Sequence, residues 1–286
     1  MKLAVFADIH SNYPVFKKAY EDALERNVDS FIFLGDYLTD GFEGDKVVDL
    51  IRDSKNNHVI RGNREDYIIE YHANHSIKGY NNIQNKIIEN SYKYLSNDTI
   101  FYISELPIYE VFEVNGKKIC ISHGSPNDVK EKILSDSYEV FDKLINDFNC
   151  DVYLFGHQHV YFNMLYKNKM FINPGSIGLP NDGVLFKYGI LTVDEDISYE
   201  KIEINYDFDV LVQYYRNSDY GKEVPLWCDL IIDELKTGID YVSVYFRCVK
   251  EKIKEKNLLV KDNSELSDDI FYEAFEEYKK VISEEK

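Results

Sequence analysis

A chain of 286 residues with 44% hydrophobic content, including 24 Tyr and 17 Phe, can bury a full core and fold as one large domain or one domain with an appendage. Its formal net charge of −18 at pH 7 excludes long nucleic acid as a partner, because duplex affinity comes largely from Lys and Arg neutralising phosphates. The same charge repels a phosphate substrate at long range, so a phosphate site here needs local positive charge from metal ions or a placed arginine.

The opening MKLAVFADIH lacks the apolar region and small-residue cleavage site of a signal peptide, and no later segment reaches the ~18 apolar residues of a membrane span. The expectation is a cytoplasmic protein with no membrane contact. Cys120, Cys150, Cys228 and Cys248 are scattered without CxxC spacing and read as buried or half-buried free thiols.

Short β-branched or aromatic runs then alternate with amphipathic stretches, the pattern of strands alternating with crossover helices. Strands are predicted at Lys2 to Ala7, Ser30 to Leu34, His58 to Arg61, Lys117 to Ser122, Asp151 to Phe155 and Met170 to Asn173. Pro14 to Glu25, with Pro14 in its first turn, reads as the first crossover helix and Asp45 to Arg52 as a second. A Tyr- and Asn-rich helical segment in 66–105 offers a cap over the site. Tyr188 to Val193 and Tyr199 to Ile204 read as a closing hairpin, so the catalytic domain is expected to span 1–205. Apolar stripes beyond it, ending with Leu266, Ile270, Ala274, Tyr278 and Ile282, predict a C-terminal helical appendage over 206–286. It reads as a buttress or an oligomerisation surface, with a substrate-gating role as the alternative.

Polar residues that can bind metal follow the predicted strands. Asp8 and His10 end the first in FADIH, Asp36 the second in FLGDY, and Asn63 the third in GNRE; His123 follows ICISH, and His157 with His159 follow YLFGHQH. Ligands collect outside the carboxyl ends of strands in α/β sheets, so these residues would share one mouth. Two carboxylates, one amide carbonyl and four imidazoles suit Mn, Fe, Zn or Co, and only a two-metal site uses so many donors. Each motif alone is weak, since Gly-Asp and Gly-Asn are ordinary turn dipeptides. Their order at successive strand ends is what carries the reading.

As a set, FADIH, FLGDY, GNRE, SHG and FGHQH resemble the calcineurin-like metallophosphoesterase superfamily, in its compact bacterial phosphodiesterase branch. The resemblance implies a four-layered α/β/β/α sandwich. It places Asp8, His10, Asp36 and His159 on one metal ion, and Asp36 as a bridge with Asn63, His123 and His157 on a second. It implies direct attack of a metal-activated hydroxide on phosphorus. INPGSIG also resembles the family; Gly175 and Ser176 read as structural, with Ser176 a candidate backbone contact to substrate.

The chain departs from many members by carrying Arg64 where they have His after the Asn. Arginine cannot act as a general acid, but its planar fork can grip phosphoryl oxygens. Alternatively Arg64 pairs with Glu65 or Asp66 at a helix start. Without that imidazole, substrates with acidic leaving groups are favoured, unless His72 or His75 supplies the proton. The expected function is hydrolysis of a small nucleotide-like phosphoester or phosphoanhydride, a dinucleoside polyphosphate being the leading substrate. A protein phosphatase and a noncatalytic scaffold of the same fold are the alternatives.

Overall fold

In the computed structural model, which describes residues 1–183 and 185–284, β1 (Lys2–Phe6) leads into α1 (Tyr13–Glu25), β2 (Ser30–Phe33), α2 (Gly44–Asp53) and β3 (Asn57–Val59). Residue 184 of the expected catalytic segment and residues 285–286 of the expected C-terminal segment lie outside the described residues. Helices α3 (Asn63–Asn74), α4 (Asn82–Tyr92) and α5 (Asn97–Glu105) follow, then β4 (Tyr109–Val114), β5 (Lys117–Ser122), α6 (Tyr138–Phe148) and β6 (Val152–Leu154). Two hairpins come next, β7 (Phe162–Tyr166) with β8 (Lys169–Asn173) and β9 (Phe186–Val193) with β10 (Ile197–Ile204). The chain ends in α7 (Phe208–Asn217), α8 (Asp219–Glu223), α9 (Pro225–Thr237), α10 (Tyr241–Glu255) and α11 (Asp268–Glu284).

Alternation along the strands builds the layers. In β1, Leu3 and Val5 face one way and Ala4 and Phe6 the other, and all four are fully buried, so the strand is covered on both sides. Leu3, Val5, Ile32 and Leu34 meet Ile119, Ile121, Val152, Leu154 and Ile172 in an apolar layer between two sheets. The opposite residues, Ala4, Phe6, Phe31 and Phe33, pack under Val15, Phe16, Ala19 and Val48 of α1 and α2. On the far side, Cys120, Tyr153 and Phe171 meet Phe141 and Leu144 of α6. The result is the four-layered α/β/β/α sandwich.

Each sheet has five strands, in the orders β10-β9-β1-β2-β3 and β4-β5-β6-β8-β7. Pairings β1–β2, β2–β3, β5–β6 and β6–β8 are parallel, so the carboxyl ends of β1, β2, β3, β5 and β6 can open on one rim. Strands β4 and β7 and helix α6 are additions to the predicted set. Both strands are sheet edges with exposed side chains, Leu165 among them at 72% exposure, so neither carries the apolar run of a buried strand.

The C-terminal helices join the outer core of the first sheet rather than standing apart. Tyr215, Tyr220, Trp227 and Leu230 belong to the same buried cluster as Phe33 and Ile88. Asn90 of α4 donates to the Tyr220 carbonyl at 3.2 Å. None of the described helices is long and apolar enough to cross a membrane.

Phe6 lies at the centre of that cluster, 4.8 Å from the Tyr188 ring and 5.7 Å from Phe33. Truncation to Ala is expected to cost about 3–5 kcal/mol in urea unfolding. A loss below about 1 kcal/mol would contradict this packing account.

Candidate active site

Tight backbone turns at the strand ends bring the polar residues together. Asp8, His10, Asp36, His157 and His159 all have positive φ, between 50° and 69°, a region that non-glycine residues rarely occupy and that costs about 1–3 kcal/mol each. Two glycines make the approach possible. Gly35 has φ 91°, and a methyl group on it would come within 2.5 Å of Gly62 N; a methyl on Gly62 would overlap Asp36 Oδ1. The Gly-Asp and Gly-Asn turns therefore pack backbone to backbone.

The convergence produces two groups of donors. Ligand atoms of Asp8, His10 and His159 lie within 4.8 Å of one another, and so do those of Asp36, His123 and His157. Asn63, at the first position of α3, is buried, and Asp36 Oδ1 accepts the Arg64 N–H at 2.8 Å. Ser176 is fully buried; its hydroxyl donates to the Asp8 carbonyl at 2.7 Å and accepts from Gly178 and Leu179 N–H. His75 ends α3 as its cap, and His72, whose Nδ1 is 2.9 Å from the Tyr92 hydroxyl, is nine residues from Asn63, about 14 Å along the helix.

The ring orientations are set from behind. His10 Nδ1 is 2.8 Å from Asp40 Oδ2, His123 Nδ1 is 2.7 Å from the Leu34 carbonyl, and His159 Nδ1 is 2.6 Å from the Leu179 carbonyl. Each oxygen accepts the Nδ1–H hydrogen bond and so turns Nε2 into the site, the arrangement metal-binding histidines use. His10 Nε2 and His159 Nε2 then face each other at 3.1 Å. Asp8 Oδ2, Asn63 Oδ1 and His123 Nε2 are buried without a hydrogen-bond partner in the chain. Lone pairs that converge like this fit a pair of cations.

Electrostatics agree. Burial opposes ionisation of Asp36, yet His123 holds its carboxyl well below the usual range, and His159 does the same for Asp8. Burial also opposes charge on His123 and His159, but Asp36 and Asp8 push each up to about 9. Burial and then His123 depress His157 to about 4. The carboxylates thus draw positive charge into the cluster, a place bound metal ions take in exchange for protons.

Three further residues, Glu65, Asp40 and Glu234, have roles that the motifs did not announce. Glu65 is fully buried, and its carboxylate accepts N–H groups of Gly62, Asp36, Tyr37 and Leu38 at 2.8–3.2 Å, clamping the FLGDY and GNRE turns together. Burial and then Asp36 push it up to about 7, against the pull of those amides. Its signal was the Glu three residues after Gly62, a capping-box spacing. Neither Glu65 nor Asp66 pairs with Arg64, since Asp66 accepts from Arg61 Nε at 2.8 Å. Arg64 lies 3.5 Å from Asp40 and 3.8 Å from Asp36. Asp40 also accepts the Trp227 Nε1–H of α9 at 2.9 Å. Glu234, also on α9, is raised to about 8 by burial and then by Asp240.

Over the two groups lies a cavity of about 210 Å³ whose walls include Asn63, Arg64, Lys132, His157 and His159 from the sandwich, and Ile231, Glu234 and Val242 from α9 and α10. The C-terminal helices supply one side of the site.

With this geometry in hand, comparison with known proteins assigns the class. The sequence profile of the calcineurin-like phosphoesterase superfamily domain matches residues 1–196, and the chain belongs to that superfamily. It is similar to the uncharacterized protein MJ0912 of Methanocaldococcus jannaschii, 26% identical over 226 residues, 72% of this chain and 88% of that one. The probable metallophosphoesterase YsnB of Bacillus subtilis is 34% identical over 80 residues, 28% of this chain and 44% of that one. A metallophosphoesterase structure from Sphaerobacter thermophilus shares the fold, with TM-score 0.68, 18% identity and coverage of 84% of this chain and 100% of the other. The hypothetical protein PH1004 from Pyrococcus horikoshii OT3 shares it too, with TM-score 0.64, 20% identity and coverage of 79% and 97%.

Replacing Glu65 with Ala strands four buried amides and is expected to cost at least about 3 kcal/mol. Bound manganese, read by elemental analysis, should fall with it, and Glu65→Gln should restore part of both. Full metal content and unchanged stability in Glu65→Ala would rule out the clamp.

Proposed function

We propose that the chain hydrolyses a phosphoester or phosphoanhydride of a small, nucleotide-like molecule at two transition-metal ions such as manganese, iron or zinc. The observation that carries this reading is the pair of three-donor groups, with orphaned lone pairs, opening on one cavity beside an arginine. Asp8, His10 and His159 would hold one ion, and Asn63, His123 and His157 the other, with Asp36 within reach of both. When bound, such a pair supplies Lewis acidity toward phosphoryl oxygen and an activated water near neutral pH.

The chain's own residues set what can react. Burial opposes charge on Arg64, but Asp40 and Asp36 hold its guanidinium firmly protonated. It therefore grips a phosphoryl oxygen and gives up no proton. Asp40 anchors Arg64 and His10 together, so phosphate binding and metal binding share one support. The nearest histidines along α3, His72 and His75, sit turns away from Asn63. No α3 imidazole then protonates the leaving group, which favours anhydrides and aryl esters, a dinucleoside polyphosphate among them; Glu234, raised to about 8, is an acid of the cavity wall that stays largely protonated at neutral pH. The wall built by α9 and α10 favours a small molecule over a phosphorylated protein.

Assays with manganese across dinucleoside polyphosphates, nucleotides, aryl esters, alkyl monoesters and phosphopeptides test the reading. Anhydrides and aryl esters should outrun alkyl monoesters, and chelation should abolish turnover until manganese is restored. Arg64→Ala should lower kcat/KM on the order of 10²–10³-fold, with Arg64→Lys recovering only part. Alkyl monoesters as the best substrates, or an Arg64→Ala enzyme with wild-type kinetics, would refute it.

A further inference from the structure

A second cavity, of about 220 Å³, adjoins the first, and the two share Asn63, Arg64, His157 and Val242. Its character is different. Tyr67 and Tyr80 line one part, Trp227 and Phe246 another, with Ile87 and Ile88 of α4 between. Protein interiors normally close-pack, and this space equals the share of about seven water molecules, so a cleft opens where Trp227, Ile87 and Ile88 of the core meet the partly buried Tyr67, Tyr80 and Phe246. Neither ring pair is stacked: Tyr67 and Tyr80 lie 5.5 Å apart at 55°, and Trp227 and Phe246 lie 6.4 Å apart at 65°. An edge-to-face pair covers only one face of one ring, so faces remain for a flat ligand, although Lys130 Nζ already sits 4.7 Å from the Tyr67 ring centre.

We infer that this cleft is a nucleobase subsite, which takes the flat heterocycle of the substrate while its phosphate lies against Arg64. The inference rests on the hydrolase reading and deepens it by placing the base of its nucleotide-like substrate. Arg64 joins the two parts, bordering both cavities with its guanidinium carbon 5.9 Å from the Tyr67 ring centre. Aromatic faces bind any base through stacking. Polar groups at the edge favour a heterocycle over a plain aryl ring. Gln84 lines the cleft with its Oε1 already held by Asn263 Nδ2 at 3.0 Å, which leaves its amide N–H groups for a ring nitrogen or carbonyl. Three of these residues, Trp227, Val242 and Phe246, come from α9 and α10, so the C-terminal helices would decide specificity.

Trp227 is the only tryptophan in the chain, so its emission reports on this cleft without turnover. The manganese-loaded protein is titrated with α,β-methylene-ADP and with the monomethyl ester of methylenediphosphonate, which carries the same esterified bisphosphonate and no nucleoside. The nucleoside should tighten binding on the order of tenfold and change Trp227 emission, and Phe246→Ala should remove that preference. Equal affinity with unchanged emission in the wild-type protein overturns the subsite, whether or not the variant folds. Phenylphosphonate gaining as much over methylphosphonate would overturn it in favour of a plain aryl pocket. Turnover of p-nitrophenyl phosphate on the same sample separates the failures. Turnover without base preference removes only the subsite, whereas base preference without turnover of any phosphate compound removes the hydrolase reading.

Discussion

Two imidazoles, His10 and His159, face each other nitrogen to nitrogen at 3.1 Å, and each has its other ring nitrogen committed to an acceptor behind it. Two lone pairs so placed repel unless a cation stands between them: a proton, which Asp8 favours on His159, or a metal ion. The same demand recurs at His123, whose Nε2 is buried 3.2 Å from Asp36 with its Nδ1 fixed on the Leu34 carbonyl. Buried carboxylates at Asp8 and Asp36 sharpen it. The arrangement is costly for the folded chain alone, through backbone strain, desolvation and close like groups, and it becomes favourable with cations bound.

Everything around these side chains serves to hold that geometry. Parallel strands deliver their carboxyl ends to one rim, glycines at 35 and 62 let two turns touch, and Glu65 ties those turns together through four amides. Asp40 extends the support outward. It contacts His10, Arg64 and Trp227, so a single buried carboxylate links one donor of the cluster, the arginine of the cavity and the C-terminal helices. A segment outside the family profile thereby becomes part of the site's wall.

Much of this was legible in the sequence, because strand-end motifs are local. FADIH, FLGDY, GNRE, SHG and FGHQH each set a donor directly after an apolar run. The edge strands β4 and β7 escaped because half-exposed edges lack such runs. Glu65 and Asp40 were hidden for another reason: a carboxylate that binds backbone amides or a distant ring looks like any surface acid until the fold brings its partners to it. Trp227 is 187 residues from Asp40, a separation at which no local pattern operates. Helical periodicity in the last segment indicated burial but not which face would meet the cavity.

The most direct test is the anomalous scattering of a crystal grown with manganese. Two peaks are predicted, one among Asp8, His10 and His159 and one among Asn63, His123 and His157, with Asp36 beside both. A single peak, or peaks away from these side chains, would contradict the account.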